Sequence, residues 1–404
     1  VDEGISVGGD SGHRAGSSGY RRIVVAMTAA GIATFAQLYA VQAVLPGLAD
    51  SFAASASRVA LSVSFATGGL AAFVLVWSGI ADRIGRVRVM AISLTVSTAL
   101  GLAAPFAPDM WTLLAVRGLQ GAALGGVPAV AMAYLAEEVH RAHLSRVAGI
   151  YIAGNTVGGM SGRLVAGAVA DLGGWRWGVA ADSLLALAAL LVFAAAIPRT
   201  RGFTPKPRGS AGPGLARRLL SAVADPGLLA LYCQGLFLMG AFVTVYNYLG
   251  FRMTGPPFGL SQTVVAFLFA AYLAGTAGSA AAGRLAERLG RRTVLLWGVG
   301  AMAGSAAVLL APSLAAVAAG LLLFTFGFFA AHATASGWVG HRATVARAQA
   351  AALYTLAYYL GSSTFGWLGG IWYDTVGWTG VVVYVLALCA ASALAGTGLR
   401  ERRG

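Results

Sequence analysis

Charge is the scarcest property of this sequence. Asp, Glu, Lys and Arg make up 10% of its 404 residues, against about 25% in a soluble domain. A chain so poor in charge cannot cover itself with a water-facing surface. Lysine occurs once, at Lys206, and cysteine twice, at Cys233 and Cys389. Two cysteines inside apolar segments exclude a disulfide framework and a CxxC metal site. The five histidines, His13, His140, His143, His332 and His341, form no ligand cluster. Neither an HExxH zinc signature nor a nucleophile elbow occurs. A membrane-embedded enzyme is therefore disfavoured, and no metal or cofactor is expected.

What is present is apolar. Hydrophobic residues make up 58% of the chain, and mean hydropathy is +0.76. A large soluble core does not explain this, because apolar runs of about 20 residues recur along the whole length, each long enough to cross a bilayer. An all-α membrane protein is expected, with twelve spans near 23–45, 58–80, 89–107, 111–135, 146–170, 177–197, 227–250, 262–284, 293–311, 314–338, 347–371 and 379–398. Residues 1–20, rich in Gly and Ser without periodicity, read as a disordered tail. The run from Ile23 to Leu45 is too long for the core of a signal peptide and reads as an uncleaved first span. The basic, Pro- and Gly-rich stretch 198–226 reads as a linker between six-helix units at 21–197 and 227–404.

The formal charge of +14 does not signal nucleic acid, because the arginines sit at the ends of apolar runs rather than on one face. With the amino terminus in the cytoplasm, only Arg58, Arg176 and Arg252 fall outside, and Arg117 and Arg163 fall within spans. Every other basic residue is then cytoplasmic. The positive-inside rule thus puts both termini in the cytoplasm.

The chain also repeats itself. Residues 78–90 read SGIADRIGRVRVM, and residues 283–295 read GRLAERLGRRTVL. Asp82, Arg83, Gly85 and Arg86 match Glu287, Arg288, Gly290 and Arg291. Further on, Tyr151, Gly158, Gly167, Asp171, Gly174 and Trp175 match Tyr354, Gly361, Gly370, Asp374, Gly377 and Trp378. Two parallel copies of six spans enclose a cavity between them, and rocking the copies gives alternating access.

These residues resemble motif A of the major facilitator superfamily, G-x-L-A-D-R-x-G-R-R/K-x-x-L, once in each half. Arg117 to Gly121 (RGLQG) resembles its motif B, R-x-x-Q-G. The stretches MAYLAEEVH (132–140), YIAGNTVGGMSGRL (151–164), LMGAFVTVYNYLGFR (238–252) and YYLGSSTFGWLGG (358–370) resemble the bacterial acriflavine-sensitivity subfamily of efflux proteins. The resemblance implies proton-driven export of small molecules from the bacterial cytoplasmic (inner) membrane by a monomer. It also implies a conformational latch. Asp82 should sit at the start of the eleventh span near Arg347, and Arg86 should pair with Glu137 or Glu138. In the second half, Glu287 should serve the start of the fifth span. No acid stands at Gly337–His341, so that second latch should be weaker.

The fifth span, GNTVGGMSGRLVAGAVAD (154–171), resembles the antiporter motif C at Gly154, Gly158 and Gly162. Gly159 stands where proline is expected there, and Arg163 where the last glycine is expected. Close helix packing through small residues is the alternative reading of the stripe. A charge within a span needs a partner. Arg163 and Asp182 flank the turn near Gly173 at similar distances, so an Arg163–Asp182 ion pair is expected. Arg117 either meets an anionic group or a proton carrier, or fixes its helix by hydrogen bonds. For the proton carrier the candidates are Asp182 and His332, since histidine titrates near neutral pH.

The family fold implies a cavity lined by spans 1, 4, 7 and 10. Its polar candidates are Gln37, Tyr39, Gln42, Gln120, Gln234, Tyr246, Asn247 and His332, with Tyr358 and Tyr359 from span 11. Aromatics, amides and few charges suit an amphipathic or weakly polar solute. A sugar or small-metabolite exporter of the same fold is the alternative.

Overall fold

In the computed structural model, residues 12–200, 220–343 and 347–399 are described. Every long element among them is a helix. The first half comprises α1 (Ser18–Phe52), α2 (Ala56–Ile84), α3 (Arg86–Phe106), α4 (Met110–Glu138), α5 (Arg141–Gly173) and α6 (Trp175–Ala196). The second comprises α7 (Pro226–Thr254), α8 (Gln262–Leu289), α9 (Arg291–Val308), α10 (Leu314–Arg342), α11 (Arg347–Val376) and α12 (Trp378–Thr397). Nine of these are long and apolar enough to cross a membrane. The other three, α5, α9 and α11, are diluted by glycines, hydroxyl residues or terminal arginines.

The repeat seen in the sequence is a repeat of turns. Gly85 (φ 97°) and Gly290 (φ 83°) end α2 and α8, and Gly174 (φ 83°) and Gly377 (φ 72°) join α5 to α6 and α11 to α12. A side chain strains the backbone at such angles, so glycine recurs at these positions. Arg83 and Arg288 lie in the last turns of α2 and α8, where positive charge meets the negative end of the helix dipole.

Within the first half α1 packs on α5 and α6, and α2 on α4. Correspondingly, α7 packs on α11 and α12, and α8 on α10. The halves meet through α2 against α11 and α5 against α8. Helices pack without a hydrophobic drive in lipid, so close van der Waals fit must hold them. The stripe in α5 supplies it. Gly154, Gly158 and Gly162 face Thr28, Ile32 and Ala36 of α1, and a Cβ on Gly158 would lie 2.6 Å from Ile32 Cα. In the second half, a Cβ on Gly361 would collide with the Leu236 carbonyl oxygen. The packing reading of the stripe therefore accounts for its three glycines. Large apolar side chains such as Phe73, Leu119, Leu184, Leu191, Trp297 and Leu394 point outward, as a lipid-facing surface requires.

The tail expectation needs correction where it can be seen. Residues 1–11 lie outside the described residues. His13, however, pairs its backbone with the α4–α5 turn, its N–H donating to Glu138 O at 2.9 Å and its carbonyl accepting from His140 N–H at 3.2 Å. Ser17 then caps α1 by accepting from Tyr20 N–H. Gly and Ser content signalled a loose tail, but two backbone bonds and a cap fix this part of it. Residues 201–219, most of the expected linker, also lie outside the described residues.

Candidate functional site

Between the two halves lies a cavity of about 280 Å³. Its walls are Phe35 and Tyr39 of α1, Tyr151, Asn155, Thr156 and Arg163 of α5, Met239 and Phe242 of α7, and Tyr272 of α8. Phe328, Phe329 and His332 of α10 and Tyr354, Tyr358 and Tyr359 of α11 face them, and Pro128, Ile152, Gly159 and Thr355 fill the remainder. Of the residues expected from sequence, Tyr39, Arg163, His332, Tyr358 and Tyr359 are brought together here. Gln37, Gln42, Gln120, Gln234, Tyr246 and Asn247 are not among the lining residues, and each is used in tying helices together. Gln42 Nε2 donates to Asn247 Oδ1 at 2.7 Å, joining α1 to α7 across the halves. Gln234 Nε2 donates to the Ser392 carbonyl at 2.9 Å. Tyr246 shares a hydrogen bond with Thr325 at 2.7 Å. In an apolar interior amides and hydroxyls are held by the nearest partner, and neighbouring helices supply it.

Gln37 and Gln120 belong to a network around Arg117, which is 2% exposed. α1 breaks into a 3-10 turn at Ala40–Val44. Carbonyls ahead of such a break lose helical donors. Arg117 takes up two of them, donating from Nη1 to Gln37 O at 3.0 Å and from Nη2 to Leu38 O at 2.7 Å. Its Nε donates to Ser62 O of α2 at 3.2 Å, and Nη1 also donates to Gln120 Oε1. Gln120 Nε2 in turn donates to Gln37 Oε1 at 3.0 Å. Of the two readings of Arg117, the hydrogen-bonded cap that fixes α4 against α1 and α2 matches these bonds. A guanidinium suits the task because its fork reaches several carbonyls at once.

Arg163 and Asp182 do not pair. Gly162 is the α5 residue that faces Asp182, whose Oδ1 lies 2.7 Å from where a Gly162 Cβ would stand. Arg163, one residue on, is turned by about 100° on the helix and points across the interface. It donates from Nε to Gln42 Oε1 at 2.7 Å, from Nη2 to Tyr272 OH at 3.0 Å, and from Nη1 to Gly159 O. Its guanidinium carbon lies 4.8 Å from the Tyr39 ring centre, 5.2 Å from Phe269 and 4.6 Å from Tyr272. Depth along the bilayer was right for the expected pair, but the helical phase was not. Asp182 Oδ1 is left buried without a hydrogen bond. His332 bonds Tyr354 OH through Nδ1 at 2.9 Å and lies parallel to Phe328.

The two ends of the bundle differ. At the arginine-rich end, Arg86 pairs with Asp82 at 2.9 Å and with Glu137 at 3.2 Å. Of the two acids expected for Arg86, Glu137 bridges it, and Glu138, next along α4, is buried. Residues 344–346 ahead of Arg347 are outside the described residues, and with them the expected seat of Asp82 at the start of α11. In the second half, Glu287 and Arg291 line a separate cavity of about 260 Å³ with Gly337 and His341. Ala282 lines it too, where the repeat places Trp77 in the first half. Loss of that indole leaves room there.

At the opposite end, the repeated aspartates do a job that the sequence reading missed. Asp171, at the end of α5, accepts from the Gln262 and Thr263 N–H groups at 2.9 and 2.8 Å, capping the start of α8. Asp374, at the end of α11, accepts from the Ser57 N–H at 3.3 Å, at the start of α2. Each aspartate thus reaches a helix start in the other half. Glycines allow the approach, since a Cβ on Gly167 would meet Ala266 at 2.5 Å and one on Gly370 would meet Ser57 Cα at 2.5 Å. The signal was available, since Gly167 and Asp171 recur as Gly370 and Asp374.

A fold of paired helix bundles with repeated arginine loops is matched by a known family. The model of the Major Facilitator Superfamily matches residues 27–256 and again 255–403. The chain belongs to the major facilitator superfamily. It is a membrane transporter of this type, and its relatives are transporters rather than enzymes. The inner membrane transport protein YnfM of Escherichia coli (strain K12) is 40% identical over 387 residues, 96% of this chain and 92% of that protein. The MFS-type transporter YybF of Bacillus subtilis (strain 168) is 36% identical, over 91% of each chain. Among solved structures, a bacterial homologue of the human lysosomal transporter Spinster, in an inward-facing and unoccupied conformation, superposes with a TM-score of 0.79. It covers 95% of this chain and 98% of that one at 15% identity, so this likeness speaks for the fold alone.

Proposed function

We propose that this transporter is a proton-coupled exporter of small amphipathic compounds. It acts as a monomer by alternating access in a bacterial cytoplasmic membrane, with both termini in the cytoplasm. The single observation that carries the reading is the central aromatic cavity, placed between halves whose arginine-poor ends are drawn together by Asp171 and Asp374. Such a cavity is reached from one side at a time when the opposite pair of contacts exchanges. Resemblance to the acriflavine-sensitivity efflux subfamily supports export. The predominance of phenyl and phenol groups in the wall favours an amphipathic cargo over a sugar, which needs a dense set of polar partners.

Asp182 is the proton carrier in this reading. It is buried in the first half, and its Oδ1 has no donor. A proton removes a charge that its surroundings leave without hydrogen bonds. Gly162 separates it from Arg163, so its charge state reaches the cavity wall through one helix. His332 is the second carrier to test, because it lines the cavity itself.

The test is efflux from proteoliposomes under an imposed pH gradient, with dyes and sugars as competing cargoes. The reading expects the gradient to drive dye movement, and expects Asp182→Asn to abolish driven movement while leaving dye exchange at equal pH. Dye movement indifferent to the gradient would sink proton coupling. Competition by sugars alone would hand the protein to the sugar-export reading.

A further inference from the structure

Among the described residues Arg163 is the only arginine or lysine that lines the central cavity, and no aspartate or glutamate lines it. Resting on the transport reading above, we propose that the cargo is an anion: an aromatic or otherwise apolar carboxylate whose carboxylate docks on Arg163.

The guanidinium is built into place. It is 1% exposed and wedged among the rings of Tyr39, Phe269 and Tyr272. Cation–π contacts of this kind hold a guanidinium without neutralising it. A guanidinium carries five N–H groups. Three are committed, to Gln42 Oε1, Gly159 O and Tyr272 OH. Two remain, one on each Nη. Tyr272 only accepts from Arg163, so its own O–H is left to donate as well. Two N–H groups and a phenol proton form a donor set without an acceptor, which is what a carboxylate requires.

Among the described residues no carboxylate bonds the guanidinium. All three of Arg163's protein acceptors are neutral, and Asp182, behind Gly162, attracts it only from beyond ion-pair distance. A buried cation without a bonded counter-ion is costly, and a bound anion reduces that cost. A cationic cargo meets the reverse. At about 5 Å and an effective dielectric near 20, like charges disfavour binding by roughly two orders of magnitude. The rest of the cargo has an apolar seat, because Phe242 and Phe328 stack at 4.0 Å between ring centres and Phe329 stands edge-on to Phe328.

Three probes of one shape separate charge from hydrophobicity: 1-naphthoate, 1-naphthamide and 1-naphthylmethylamine. Their binding to the purified full-length transporter is read by ligand-induced thermal stabilisation, and by dissociation constants from equilibrium dialysis. We expect naphthoate to bind at least about 10-fold more tightly than the amide, and the amine to bind weakest. Arg163→Gln should erase the preference, Arg163→Lys should keep part of it, and Tyr272→Phe should weaken naphthoate alone. If Arg163→Gln fails to fold, the charge order in the wild type and in Arg163→Lys decides. Amine binding equal to or tighter than naphthoate overturns the proposal. So does an unchanged preference in folded Arg163→Gln, or absence of binding by all three probes to folded wild type. Counterflow of labelled naphthoate in proteoliposomes keeps the two readings apart. Binding without movement refutes transport of this anion but not its site, whereas movement of other solutes without naphthoate binding refutes the site alone.

Discussion

Removing the Asp171 carboxylate should loosen the arginine-poor end of the bundle by a calculable amount. The carboxylate accepts two backbone N–H bonds, at 2.9 and 2.8 Å, at the start of α8. Replacing a helix-capping side chain by alanine costs about 0.5–2 kcal/mol. These bonds are solvent-exposed, so a value near 1 kcal/mol applies after screening. Opening that end breaks the bonds in the wild type but costs nothing extra in Asp171→Ala. The ratio of open to closed molecules should therefore rise about 5-fold. A cysteine at Val265, 1% exposed next to the cap, reports that ratio. In a background with Cys233→Ala and Cys389→Ala, its reaction rate with a charged thiol reagent follows the open population when closing is fast. Asp374→Ala should raise the rate less, because Asp374 makes one bond at 3.3 Å. Asp171→Asn should fall between wild type and alanine, because its single amide oxygen can replace only one of the two carboxylate oxygens that accept here. A labelling rate unchanged in Asp171→Ala, or equally fast in the Asn and Ala variants, would refute the capping argument.

Three further outcomes follow from the same geometry. Arg117→Ala strands the carbonyls of Gln37 and Leu38 ahead of the break in α1; at about 1–3 kcal/mol for each buried unsatisfied group, the variant should lose its monodisperse peak in size-exclusion chromatography. Monodisperse, thermally unaltered protein would contradict the cap. Gly158→Leu should separate α1 from α5, because even a Cβ there lies 2.6 Å from Ile32 Cα, and thermal denaturation of that variant at an unchanged midpoint would refute the close approach. Asp225, ahead of α7, accepts from Arg342 at 2.8–3.0 Å. Partial burial pushes its carboxyl up, but hydrogen bonds from Arg342 and the Gly227 N–H together outweigh this and hold it below 3.8. A carboxyl lowered on folding stabilises above the ordinary range and loses that contribution as pH falls through its lowered value. The difference in denaturation midpoint between wild type and Asp225→Asn should thus be present at neutral pH and shrink as pH falls below 3.8; a difference independent of pH would rule the pair out as its source.

Much of the fold was legible because lipid imposes few solutions. Apolar length placed the helices, and the motif loops showed their repetition. Side-chain direction was harder to read. The expected Arg163–Asp182 pair rested on rise along the helix alone, and rotation by one residue sends Arg163 into the cavity while Gly162 faces Asp182. Glutamines were expected in the cavity because they are polar, yet Gln42 and Gln120 are already taken by Asn247, Arg163 and Arg117. The cavity wall is instead largely aromatic, and Phe242, Tyr272, Phe328 and Phe329 carry no mark in sequence that separates them from lipid-facing rings. Only the spacing of Phe328 and Phe329 ahead of His332, one turn along α10, places them on neighbouring faces.

The halves share turns and packing but not their buried charges. Arg117, Arg163 and Asp182 all lie in the first half, and the residues at the matching positions of the second are not ionisable. At the offset that carries Trp175 onto Trp378, Arg163 aligns with Gly366 and Asp182 with Val385, which is fully buried. Charges buried in lipid are retained at a cost. Arg117 repairs the break in α1, a break that the second half lacks because α7 runs as one helix from Pro226 to Thr254. Arg163 and Asp182 repair nothing comparable. One holds donors toward the cavity, and the other lacks a donor for Oδ1. Division of labour follows: the first half carries the charge chemistry, while the second supplies the stacked rings that face it. Exchanging Arg163 and Phe242 as a double variant should therefore fail to restore binding, because the aromatic cage and the Gln42 bond exist on one side only.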